Sequence, residues 1–286
     1  MSTNSENQWD LVIEPNASKL NLNLQEVWRY RDLMLLFVKR DFVAQFKQTV
    51  LGPVWHIIQP ILTTAMFLLI FGRIARTSTD NIEPSILFYM SGIVLWNFFS
   101  GCLTNVSNTF VTNANIFGKV YFPRLVLPLS VIISNLIKFA IQFLLLIAMM
   151  VFFHFRGYPI QPSFNWIFIP VIILILACIS LGLGIIISSL TTKYRDFIVL
   201  LTFAVQLGMY ATPIAYPYSY VQNKSFYWIF KINPLTSIVE SFRYCLFGKG
   251  TFDLASLSYT IIFMVVILLS GIVVFNKVER NFMDTV

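Results

Sequence analysis

Six stretches of this chain, 53–71, 86–110, 126–153, 164–190, 197–217 and 254–276, are apolar over a length that suits a bilayer. The hydrocarbon core takes about 20 helical residues to cross. None of the six holds an Asp or Glu, and the one Lys or Arg inside them is Lys138. Backbone immersed in hydrocarbon must bond to itself, which a helix does within each run. Continuous apolar runs without two-residue alternation favour helices. Charged residues make up 12% of the chain, against about 25% in soluble domains. The expected fold is an all-α integral membrane protein with six transmembrane helices, read as one transmembrane domain over 1–286 with its six-span core at 53–276.

The flanks refine this picture. Residues 1–25 are polar and read as a cytoplasmic tail. The first apolar run, Leu33 to Val38, is too short for the core of a cleavable signal peptide. If 26–48 is a single helix, turning about 100° per residue, Arg29, Arg40 and Lys47 share one azimuth, and Leu35, Val38, Phe42 and Phe46 share another. That pattern predicts an amphipathic helix lying in the membrane interface. The piece "SFYWIFKINPLTSIVESFRYCLF" is apolar yet carries Lys231, Glu240 and Arg243, and Asn233-Pro234 interrupts it. The residue before a proline leaves helical geometry, so 224–249 reads as a re-entrant helical hairpin on the outer side, with Glu240 and Arg243 neutralising each other at i,i+3. With the first residues cytoplasmic, Lys39, Arg40, Lys47, Lys119, Arg124, Lys193, Arg195, Lys277 and Arg280 all fall on the cytoplasmic side. This predicts both termini inside. The net charge of +7 therefore points to the membrane surface and its lipids, not to nucleic acid.

Energy and chemistry are missing from the chain itself. Ion-coupled carriers place carboxylates in their spans, and here the spans have none. No G-x-x-x-x-G-K-[ST] phosphate loop occurs; Gly182-Leu183-Gly184 lies inside an apolar run with no strand before it. Asp80 and Glu83 read as a solvated turn, so an enzymatic site is not expected. His56 and His154 read as interfacial residues without chemistry, and Cys102, Cys178 and Cys245 as buried thiols, leaving no metal site. Ser180, Gly184 and Ser188 form a small-residue stripe that suits packing inside one subunit or contact with a second.

Three stretches then carry a resemblance. "KRDFVAQFKQTVLGPVWHIIQP", "NANIFGKVYFPRLVLPLS" at 113–130 and "NPLTSIVESFR" at 233–243 resemble the permease subunit of ABC-2 type exporters (the type V exporter fold). Within that group they resemble the branch that exports O-antigen, capsule and teichoic-acid polymers. V-Y-F-P-R at 120–124 is the most specific piece, and the match extends from about residue 24 onward.

The resemblance implies a homodimer in a bacterial inner membrane, docked on two copies of a cytoplasmic ABC ATPase that hold ATP and Mg, with no cofactor on this chain. It implies a polyprenyl-diphosphate-linked glycan as cargo. Cations at the channel mouth would bind the diphosphate by charge-assisted hydrogen bonds: Arg40 and Lys47 first, then Lys39 and Arg29. Asn113, Ala114, Asn115, Ile116, Phe117, Gly118 and Lys119 become the ATPase-coupling helix, with Ile116 and Phe117 as an exposed apolar pair; "TTKYRD" at 191–196 is a weaker contact. Tyr210 with Gln206, and Gln59 and Asn97 in other spans, are channel candidates. Tyr218 and Tyr220 fit an interfacial belt, and Lys138 either snorkels or faces a lumen. Two other readings stay open: an ABC-2 exporter of a drug or lipid, and a passive channel or scaffold.

Overall fold

A computed structural model describes residues 24–47, 49–117, 122–160, 164–194, 196–222 and 224–281. The chain opens with α1 (Leu24–Arg29) and α2 (Arg31–Phe46), followed by α3 (Trp55–Phe67), α4 (Ser85–Ser107), α5 (Thr109–Thr112), α6 (Ala114–Phe117) and α7 (Val126–Phe155). Then come α8 (Ile169–Lys193), α9 (Asp196–Tyr210), α10 (Tyr218–Val221), α11 (Tyr227–Ile232), α12 (Pro234–Phe247) and α13 (Leu254–Asn281). Among the described residues, five apolar helical stretches are long enough to cross a membrane: Gly52–Ile74, Ser85–Ser107, Val126–Phe155, Asn165–Thr192 and Leu254–Asn276. They coincide with five of the six expected runs.

The expected fifth span, 197–217, is shorter than read. α9 has 15 residues, about 22 Å at 1.5 Å per residue. It stops because Pro213 and Pro217 follow closely, and a proline removes a backbone donor and bends its predecessor out of the helix. The expected single interfacial helix over 26–48 is also revised. A turn at Tyr30 separates α1 from α2, and Lys47 lies past the end of α2 with extended backbone (ψ 126). Arg29, Arg40 and Lys47 therefore do not share one helical face. Nor is α2 simply amphipathic: Phe37 and Val38 are buried while the neighbouring Leu35 and Leu36 are exposed, although Leu35 and Val38 lie one turn apart. Val27, Tyr30, Leu33, Met34 and Phe37 pack with Phe122 and the start of α7 in a small apolar cluster.

The main core gathers α4, α7, α8 and α12. Its closest helix approaches use the glycines of the fourth span. A Cβ on Gly184 would lie 2.6 Å from Val106 Cγ1, and one on Gly182 would lie 2.7 Å from Ile267 Cγ2. Ser180 and Ser188 are fully buried beside them. The small-residue stripe thus packs within the subunit, against α4 and α13, so that backbones approach where side chains would hold them apart.

The break at Asn233-Pro234 falls where the sequence places it. Asn233 caps α12 by accepting from the Leu235 N–H at 3.0 Å and donates through Nδ2 to Ala211 O at 2.9 Å. Further into α12 the pattern becomes unusual: Arg243 is 1% exposed. Its guanidinium donates to the carbonyls of Pro213 (2.6 Å), Ile214 (3.0 Å) and Phe88 (3.4 Å), and stacks 3.7 Å from the Phe88 ring. Glu240 pairs with it at 3.3 Å and accepts from the Thr251 N–H and hydroxyl. The broken stretch after α9 cannot satisfy its own carbonyls, and Arg243 does so in its place. Gly92 makes the room, since a Cβ there would lie 2.9 Å from Arg243 Nη2. Replacing Arg243 by Met strips the buried Glu240 of its counter-charge and the Pro213 and Ile214 carbonyls of the guanidinium donor, which costs about 3–5 kcal/mol for the broken ion pair. Arg243→Met is expected to lower the thermal midpoint and folded yield of detergent-purified protein sharply in fluorescence size-exclusion assays. Arg243→Lys is expected to recover little, because a single ammonium cannot reach three carbonyls.

Candidate functional site

Gln59 and Asn97, the channel candidates of two different spans, meet in space. They line a cavity of about 230 Å³ between α3, α4 and α7, together with His56, Ser100, Gly101, Asn105, Asn135, Lys138 and Gln142. Each helix contributes at helical spacing: His56 and Gln59 at i,i+3, Asn97, Gly101 and Asn105 at i,i+4, and Asn135, Lys138 and Gln142 at i,i+3 and i+7. Such positions share a face. Lys138 is twelve residues past Val126 on α7, about 18 Å along the axis, so the cavity reaches well into the apolar zone. Lys138 lines this cavity.

Amide pairs order the walls. Asn97 Nδ2 donates to Gln142 Oε1 at 3.3 Å, Asn105 Nδ2 to Asn135 Oδ1 at 3.4 Å, and Asn135 Nδ2 to Val131 O at 2.8 Å. Gly101 admits Asn135, whose Oδ1 would stand 2.8 Å from a Cβ there. His56, read from the sequence as an interfacial residue without chemistry, is also part of this lining. It is buried, its Nε2 has no hydrogen-bond partner among the described residues, and its ring meets Phe46 edge-on at 5.2 Å. An unpaired buried nitrogen is costly unless something bonds it. Among the described residues the Lys138 ammonium likewise makes no hydrogen bond or ion pair, and the lining contains no carboxylate. One cation, one imidazole and five amides in an apolar surround can hold an anionic or hydroxyl-rich group by donated hydrogen bonds. Among the described residues, no group of three or more His, Cys, Asp or Glu is placed to hold a metal ion.

The other candidates are placed differently. Phe46, which touches His56, ends α2, so Lys47 stands beside the cavity's rim. Arg40 is already engaged: it pairs with Asp41 at 2.7 Å, donates to Asn113 Oδ1 at 3.0 Å and lies 4.9 Å over the Phe37 ring. Lys39 and Arg29 are exposed. Tyr210 and Gln206 face outward from α9 and do not join the cavity; Tyr210 is 56% exposed. Tyr220 is exposed, with Lys224 over its ring. Of the coupling segment, Asn113 follows α5, and α6 carries Ala114, Asn115, Ile116 and Phe117. Gly118 and Lys119 lie outside the described residues. Ile116 is not freely exposed as expected; it packs against the cluster of Phe37, Phe110 and Phe122.

A multi-pass helical protein with a polar cavity between its spans has the build of a membrane permease. Residues 32–247 match the family model described as ABC-2 type transporter, and the chain belongs to that family. Two relatives from Klebsiella pneumoniae, each named O-antigen export system permease protein RfbA, are 31% identical over 254 residues, covering 88% of this chain and 94% of theirs. A Myxococcus xanthus protein of the same name is 25% identical over 264 residues, 92% of this chain and 98% of its own.

Asn97→Cys is expected to react with a small, charged, membrane-impermeant thiol reagent, while Leu146→Cys, fully buried on α7, stays unlabelled. Mass spectrometry of the labelled protein in nanodiscs reads both, against the native Cys102 and Cys245 as buried internal controls.

Proposed function

We propose that this chain is the channel-forming subunit of an ATP-driven exporter that carries a polyprenyl-diphosphate-linked polysaccharide across a bacterial inner membrane. The observation that carries the reading is the carboxylate-free cavity holding Lys138 and His56. A diphosphate needs donors and positive charge, and the glycan that follows needs amides and hydroxyls. The family, and relatives named as O-antigen permeases over almost their full length, support the same cargo.

In this reading the lipid-linked head group leaves the inner leaflet beside α2. Lys47 meets its phosphates at the rim, and the path from Phe46 past His56 leads them to Lys138. Arg40 shares its charge with Asp41, so it positions α2 against Asn113 more than it binds cargo. Both termini are cytoplasmic. A second copy of the chain and lipid cover the apolar faces of α3 and α9, where Val199, Leu200 and Phe203 stand exposed. Two copies of a separate ABC ATPase, with ATP and Mg, dock near α5 and α6 and supply the drive that no group in the spans provides.

Lys138→Met is expected to reduce surface glycan at least tenfold and to accumulate lipid-linked glycan inside, with membrane insertion unchanged; Lys138→Arg retains most export. Lys47→Ala is expected to lower cargo-stimulated ATPase activity more than Arg40→Ala does. Wild-type export by Lys138→Met would overturn the reading. Docking has its own check. Phe117→Asp combined with Lys119→Glu is expected to abolish copurification with the ATPase, and an intact complex would remove that segment from the interface.

A further inference from the structure

A second cavity, of about 330 Å³, lies at the opposite end of the spans, beneath the hairpin of α11 and α12 and the first turn of α13. Tyr218, Tyr227 and Tyr259 form its aromatic walls, and Gln222, Lys231 and Thr236 its polar ones. The volume falls near the lower end of small-molecule sites, about 300–1,000 Å³.

The lining narrows what fits. Both carboxylates are spoken for. Glu240 is held by Arg243 and Thr251. Asp253 accepts from the Ala255 and Ser256 N–H groups at 3.1 Å and from the Ser256 hydroxyl at 2.6 Å, bonds that hold its carboxyl below the usual range. A cation finds little net attraction, because Glu240 is paired with Arg243 and the charge of Asp253 is met by that of Lys231. The single cation, Lys231, is exposed and faces the charge of Asp253, so an anion finds little net attraction. A purely apolar ligand would strand the polar groups. What remains is a neutral, hydroxyl-rich molecule. The Thr236 hydroxyl is 5% exposed and has no hydrogen-bond partner among the described residues. Gln222 offers an amide. Tyr218 donates to the Tyr227 oxygen at 2.7 Å, which leaves the Tyr227 proton free to donate in turn. Tyr259 spends its own hydroxyl on Ile232 O at 2.9 Å, so its ring serves as a flat apolar wall. Burial, and then the bond to Tyr227, push the Tyr218 phenol above the usual tyrosine range, keeping it a neutral donor. Aromatic faces beside convergent amide and hydroxyl groups complement a pyranose, whose ring presents C–H faces and an edge of hydroxyls.

We infer that this cavity is a saccharide-binding site, a neutral pyranose unit being its ligand. As a station for exported cargo it rests on the reading above; as a binding site it stands on its own chemistry. The test is saturation-transfer-difference NMR on the full-length chain in lipid nanodiscs, titrated with methyl glycosides of mannose, galactose, glucose, rhamnose and N-acetylglucosamine. At least one glycoside is expected to take up saturation through its ring protons. Tyr259→Ala and Thr236→Val should each weaken that signal at least fivefold. Tyr259→Phe, which keeps the ring, should retain most of it, and Tyr220→Ala, outside the cavity on the same end, should leave it intact. No transfer to any glycoside, or transfer unchanged in both Tyr259→Ala and Thr236→Val, overturns the site, as does preferential binding of inorganic phosphate. Glycoside binding that persists in a chain shown to export no glycan strikes the transport reading and leaves the site standing.

Discussion

The backbone of a membrane protein must find a partner for every carbonyl it exposes when a helix breaks, and Arg243 is how this chain meets that demand. Three carbonyls, from two separate parts of the chain, converge on one guanidinium. Its planar fork of donors suits the task in a way an ammonium does not. The arrangement joins the N-terminal end of α4, the turn after α9 and the hairpin helix α12 at one point. The Glu240 carboxylate balances the charge, so what is buried is a nearly neutral, well-engaged group instead of a bare cation. Both cavities depend on this joint. One lies under the hairpin that Arg243 anchors, and the other is walled by α4, whose N-terminal end it fixes.

Much of the fold is legible in the sequence because hydrocarbon allows so few solutions. Long apolar runs have to be helices, and five of them are within a few residues of where composition places them. The hairpin break follows from Asn233-Pro234. α9 reads too long because 211–217 is as apolar as a span; only the prolines distinguish a turn there. α2 misleads for a related reason. A helical wheel counts apolar residues equally, yet those of α2 divide between lipid and the Phe122 cluster, and nothing local says which side meets the protein.

The cavity is half legible. Gln59, Asn97 and Gln142 each stand as polar residues among apolar neighbours, whereas His56 beside the loop and Asn135 next to Ser134 are less marked when taken singly. Aligned as stripes at helical spacing across three spans, they form a shared polar face that the sequence alone can signal. What no stripe can reveal is which helices are neighbours, because that depends on the loops and on Gly101 admitting Asn135. Tyr210 and Gln206 show the reverse failure: the right residue types sit on a helix face that looks away from the polar cavity.

The glycines of α8 carry a mechanical consequence. Where Gly182 and Gly271 bring two backbones nearly into touch, no side chain is left to slide or repack, so α8 and α13 behave as a single stiff plate, with α4 keyed to it by Val106. Of the three helices that wall the Lys138 cavity, α4 is keyed to this plate while α3 and α7 stand outside it, so the width of the cavity is set by how α3 and α7 seat against a fixed wall.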